Sequence, residues 1–182
     1  SSNGLFRTPL QNTIDLSVEK GAFEPVANTG GQVWSLTALN GQLLMGHHEG
    51  AFIVENNAAK LLSSWTGYWG FKPISTITPS PVIVAGNYRG VSFFKYAEGV
   101  FKNIDSNLVF ESARFLVVDN NNKTVWVGYT YKGIYKLQCN NNNEIKIKHY
   151  TSKNAPLGIN NNFLFKVRNR IILTTEKGIF EY

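Results

Sequence analysis

A single cysteine, Cys139, in a chain of 182 residues excludes an internal disulfide and a cysteine-built metal cluster. A lone thiol at a strand end reads as a small hydrophobe. Charged residues are also scarce, at 16% of the chain against the usual quarter. With 43% apolar residues, 12 Phe, 8 Tyr and 4 Trp, that scarcity excludes a disordered tail and requires a large buried core. Long apolar runs are missing: stretches such as Val82-Ile83-Val84-Ala85 fall far short of the roughly 18 to 20 residues that span a bilayer as a helix. The first residue is Ser, with no basic segment and apolar run behind it, so any targeting signal is expected to be removed or to lie upstream. The length suits one domain of ordinary size or part of a larger one.

Carboxylates are few, the aspartates being Asp15, Asp105 and Asp119. The net charge of +6 is scattered, and its nearest cluster is Lys146, Lys148, His149 and Lys153. Alternation puts the first two lysines on one strand face, a solvated edge. A pI near 9.4 without a basic stripe or a base-stacking platform predicts no nucleic-acid contact by this segment.

What the chain does have is a repeat. Residues 43–52, 82–91, 125–135 and 171–180 each read as a short apolar strand, a tight turn ending in Gly and a second apolar strand. Such a turn is expected to need a positive φ at its glycine. Gly4-Leu5-Phe6 matches the second half of the unit, so the marker glycines fall at 4, 50, 90, 133 and 178, with spacings of 46, 40, 43 and 45. A further strand is expected before each hairpin, over 33–39, 74–77, 114–118 and 163–167, and a more polar one after it, over 59–62, 100–104 and 145–150. Four strands per repeat of about 40 to 50 residues predict an all-β fold, a β-propeller of about four blades of four antiparallel strands. A parallel β-helix competes, but its coils are shorter. Asn runs at 120–122, 140–143 and 160–162 read as loops, where Asn caps turns. The expected division of 1–182 is a partial blade 1–30, blades 31–70, 71–110 and 111–157, and a partial blade 158–182. Because the repeat starts and stops part-way through a unit, a slice of a larger propeller is expected.

Val125-Trp126-Val127-Gly128 followed by Lys132-Gly133-Ile134-Tyr135 resembles the two-component regulator propeller repeat. The last copy departs in having Thr174 where others have Gly, and the third carries one extra turn residue. More narrowly, residues 32–52, 152–162 and 174–180 resemble the propeller of membrane-bound regulators of Bacteroidetes, which carry a triple-tyrosine domain and often a LuxR-type DNA-binding end. The resemblance implies a periplasmic sensor with a propeller of seven or more blades outside the inner membrane. It also implies that membrane and output modules lie on other segments and that the full-length regulator is a homodimer.

In a propeller the central turns and the connections between blades open on one end. His47, His48 and Glu49, Tyr88 and Arg89, and Tyr129 and Tyr131 belong to the turns, whereas Trp65, Tyr68, Trp69 and Phe71 belong to a connection. Aromatic faces stack on sugar rings or other flat polar ligands while polar groups orient them. The expected ligand-binding residues are therefore Trp65, Tyr68, Trp69, Tyr88, Arg89, His47, Tyr129 and Tyr131. For Trp65, Trp69 and Phe71 the plainer reading is that they fill the wedge between blades. Trp34, Trp126, Phe52 and Phe115 are expected in the core. Adjacent His47 and His48 point to opposite strand faces, so no metal is expected, and no cofactor. No carboxylate pair suited to a glycosidase or lyase is evident. The sequence therefore predicts a non-catalytic, extracytoplasmic sensor for a small molecule, glycan or protein, with a protein-binding scaffold as the alternative.

Overall fold

A computed structural model describes residues 1–9, 21–74, 82–119, 123–139 and 144–182. Among them no residue is helical. A short pair, β1 (Phe6–Arg7) and β2 (Glu24–Pro25), precedes four antiparallel sheets. The first sheet contains β3 (Val33–Leu39), β4 (Gln42–His47), β5 (Gly50–Glu55) and β6 (Ala58–Ser63). The second contains β7 (Gly70–Ile74), β8 (Val82–Asn87), β9 (Gly90–Ala97) and β10 (Val100–Val109), and the third β11 (Phe115–Val118), β12 (Thr124–Tyr129), β13 (Gly133–Cys139) and β14 (Ile145–Tyr150). The fourth has three strands, β15 (Phe163–Val167), β16 (Arg170–Thr175) and β17 (Gly178–Glu181). Within each sheet the strands pair in chain order. The first strands of successive sheets adjoin: β3 touches β7, β7 touches β11 and β11 touches β15.

Sheets stacked side by side bury both faces of their middle strands, which explains the short unbroken apolar runs. Along β8, Ile83 and Ala85 pack with Leu44, Tyr68 and Phe94 on the side of the first sheet. Val82 and Val84 pack with Val125 and Val127 on the side of the third. Strand β12 splits likewise, with Trp126 turned toward Leu164 and Ile171 of the fourth sheet. One period-2 strand thus serves two interfaces.

The glycine that opens the third strand of each four-stranded sheet has a packing reason, whereas Gly178 of the fourth sheet has a φ of +134° and no close neighbour. A Cβ at Gly50, Gly90 or Gly133 would overlap the backbone carbonyl of Ser63, Leu108 or Tyr150, where the fourth strand ends. Gly90 and Gly133 also have φ of +146° and +93°, whereas Gly50 does not share the expected positive φ. Close approach of backbone is the feature common to all three.

Other expectations need correction. The strand expected over 74–77 is β7, which lies earlier and pairs Gly70 with Gly86 and Phe71 with Ala85. Residues 75–77 lie outside the described ones. Phe71 is consequently a buried strand residue and not part of a connecting loop. Trp34 is 40% exposed, because alternation along β3 turns Trp34 and Leu36 outward on a first strand that no further strand covers. Trp126 is buried, and Phe52 and Phe115 are half-buried. The Asn runs at 120–122 and 140–143, and Asp15, lie outside the described residues, as does the side chain of Cys139. Asn162 is no mere loop filler: its buried amide donates to the carbonyls of Thr130 (3.0 Å) and Gly158 (3.1 Å) and accepts from the Gly158 N–H (2.9 Å).

Gly90→Ala combines a positive-φ penalty with overlap of the Leu108 carbonyl, and should destabilise by about 2 kcal/mol or more. Gly99→Ala, also at positive φ (+80°) but with open space around it, should cost about 1 kcal/mol. Urea unfolding of both variants checks the difference.

Candidate functional site

The end of each sheet is assembled by its own backbone. The connection leaving the first sheet docks on that sheet's central turn: Gly67 N–H donates to the His48 carbonyl (2.8 Å) and Tyr68 N–H to the His47 carbonyl (3.1 Å). It also engages the second sheet, since Trp69 N–H donates to the Gly86 carbonyl (2.8 Å) and the Tyr88 N–H donates to the Thr66 carbonyl (3.2 Å). The next connection repeats the scheme, with Phe110 N–H on the Arg89 carbonyl (3.0 Å) and Ala113 N–H on the Asn87 carbonyl (2.9 Å). Turns and connections therefore share one end of the molecule.

On that end four aromatic rings form a ladder. Trp34 lies 4.8 Å from Trp69, Trp69 lies 5.2 Å from Tyr88, and Tyr88 lies 5.5 Å from His48, ring centre to ring centre. Tyr88 Oη and His48 Nδ1 share a hydrogen bond of 2.9 Å. Trp69 Nε1 donates to Ser112 Oγ at 3.1 Å, which fixes the indole's orientation. Two guanidiniums lie over indoles: Arg89 over Trp65 and Arg114 over Trp69, each 5.2 Å from the ring centre. Each such cation–π contact contributes roughly 0.5–1 kcal/mol at exposed sites. The Tyr88 ring sits directly against Gly67, whose φ is +77° and whose Cα a larger residue could not replace without overlapping the ring.

Of the residues singled out in the sequence, Trp69 and Tyr88 are in the ladder, and Trp65 and Arg89 flank it. Tyr68 is fully buried, not presented to a ligand. Its hydroxyl donates to Ser63 Oγ or Ser92 Oγ (2.9 and 2.8 Å), and Ser92 Oγ also accepts from Asn87 Nδ2 at 2.9 Å. Burial raises the Tyr68 pKa, so this phenol stays neutral. His47 is likewise buried, at 3% exposure, with its ring edge-on to Phe52 (5.5 Å). Its Nδ1 accepts the Glu49 N–H at 3.0 Å, so the neutral ring carries its proton on Nε2. Tyr129 and Tyr131 pair with each other at 5.7 Å on the third sheet's turn, and among the described residues no ring contact links them to the ladder.

Three members escaped sequence reasoning. Trp34 is expected in the core even though its strand is read as the first before a hairpin, and it is instead exposed. Arg114 reads as a strand residue, although it stands just before β11 and is exposed. His48 is placed by the sequence on the turn but not among the expected ligand-binding residues. Its alternation with His47 was the available signal, since one imidazole must face out. Among the described residues no three His, Cys, Asp or Glu side chains gather as a metal set.

Tyr68→Phe should cost about 1–2 kcal/mol on chemical denaturation, because it strips a hydroxyl from a buried hydrogen-bonded cluster. Burial, the largest influence on His47, holds its pKa below the ordinary imidazole value of 6.5 despite Glu49 nearby. The unfolded chain therefore takes up the proton more readily, and the stability of neutral His47 is complete above about pH 6.5 and declines as pH falls below it. Thermal unfolding between about pH 7.5 and pH 5 should show that decline in the parent, and a shallower one in His47→Gln.

Two comparisons give nothing: no family model matches the chain, and no curated protein matches it. Among solved structures the chain is similar to the extracellular domain of BT4673, titled a one-component system, from B. thetaiotaomicron. The TM-score is 0.61 at 16% identity, over 82% of this chain and 20% of that one. The likeness is one of fold, and this chain spans about a fifth of that protein's length.

Proposed function

We propose that the sheets are consecutive blades of a β-propeller of seven or more blades, and that the chain is the extracytoplasmic sensing part of a membrane-bound bacterial signalling or transcriptional regulator. The blade reading is supported by adjoining first strands, by central turns and connections gathered on one end, and by the fold likeness to an extracellular domain of a one-component system. The observation that carries the sensing role is the Trp34-Trp69-Tyr88-His48 ladder, which joins the first and second sheets and is flanked by guanidiniums. Indole, phenol, imidazole and guanidinium groups bind and orient a flat ligand, and their role here is binding without chemistry. Signalling then follows from differential affinity: a ligand that prefers one arrangement of the sensor shifts the population by no more than that preference. Dimer formation and output belong to the whole regulator.

A second reading, protein docking on the same end, is favoured by Tyr131, which is 59% exposed on the third sheet's turn. The two separate by mutation. On an oligosaccharide array, Trp69→Ala and Tyr88→Ala should weaken binding at least about ten-fold, equivalent to about 1.4 kcal/mol, while Tyr131→Ala leaves it unchanged. A protein partner lost on Tyr131→Ala, together with an array blank for the parent protein, would reverse the assignment.

A further inference from the structure

Beside the ladder the first strands enclose a cleft of about 280 Å³, whose lining includes Leu36 and Thr37 of β3, Trp69, Lys72 of β7, Arg114 and Leu116 of β11. Its charge is one-sided. Four cations elsewhere meet carboxylates: Arg7 with Glu24, Lys102 with Glu98, Lys132 with Glu111 and Arg170 with Glu181. Arg114 and Lys72, both exposed, have no ion pair among the described residues, and no Asp or Glu lines the cleft. Arg114 is nevertheless held in place, its guanidinium 5.2 Å from the centre of the Trp69 ring and 5.9 Å from that of Phe115. A guanidinium stacked by its face keeps its edge N–H groups free, and that edge matches a carboxylate in bidentate fashion. Next to it Trp34, 40% exposed, offers ring surface to an apolar face.

Resting on the sensing role above and narrowing it, the geometry points to an anionic ligand for this cleft: a ring compound bearing a carboxylate. Arg114 and Lys72 hold the carboxylate, and the ring extends toward Trp34, which stands 4.8 Å from the cleft residue Trp69. Holding Arg114 on Trp69 before the ligand arrives lowers the ordering cost of binding. The same chemistry is offered by an acidic saccharide and by a simple ring acid, and the test distinguishes them.

Calorimetric titration of the 182-residue chain should compare trigalacturonate with its methyl ester, which keeps the rings and removes the charge, and benzoate with methyl benzoate. For at least one pair the acid should bind about ten-fold tighter than its ester. That preference should shrink as salt rises from about 20 mM to about 300 mM. Arg114→Gln and Lys72→Gln together should abolish the preference, and Lys60→Gln, on the distant β6, should preserve it. Preference in the first pair alone identifies a saccharide acid, and in both pairs any ring acid. Equal binding of acid and ester, or a preference that survives the double substitution, overturns the proposal. If neutral oligosaccharides still bind through Trp69 while the preference is absent, the sensing role stands and only its anionic ligand class falls; if no ring ligand binds, both fall.

Discussion

Backbone pressed against backbone is the constraint on which the remaining structure depends. In each complete sheet the third strand begins at a residue over which the fourth strand's last carbonyl passes, and only a glycine leaves room for it. The second strand has a matching place. A Cβ at Gly46 would overlap the Tyr68 carbonyl, and one at Gly86 would overlap that of Ala113, because the connection to the next sheet runs there. At the third sheet's Gly128 the nearest atom to such a Cβ is instead the Leu164 side chain, at 3.2 Å, and the fourth sheet has Thr174 at this place.

The same docking makes the candidate site. Because Gly67 and Tyr68 are tied to the first sheet's turn and Trp69 to Gly86, consecutive aromatic residues have opposite fates. Tyr68 is driven between sheets, where Ser63 and Ser92 satisfy its hydroxyl, and Trp69 is left on the end with Trp34 on one side and Tyr88 on the other. Burying the one ring stabilises the sheet interface and in doing so leaves the other on the end that holds the aromatic ladder.

Side-by-side sheets also explain the chain's modest hydropathy alongside its dense core. The middle strands β8 and β12 are buried on both faces, whereas the first strand β3 and the fourth strand β14 are half-buried or exposed throughout, so apolar residues occur in short runs with polar residues between them. Each interface is built from a few residues of each sheet, such as Leu44 and Phe94 at one and Trp126 and Leu164 at another.

From the sequence alone came the strands and their grouping, since period-2 alternation and the recurring glycines are local signals that survive without knowledge of the neighbours. It also brought Tyr88 and Arg89 forward as turn residues next to a marker glycine, and Trp69 as part of a connection that opens on the same end. Tertiary structure decided which way the irregular connection faces. Residues 64–69 have no period to read, and the choice between Tyr68 and Trp69 was made by carbonyls and N–H groups more than fifteen residues away in the chain. It decided equally that Trp34, alternating like any strand residue, would lie exposed beside Trp69 and not in a core, because exposure of a first strand depends on what lies beside it and not on its own residues.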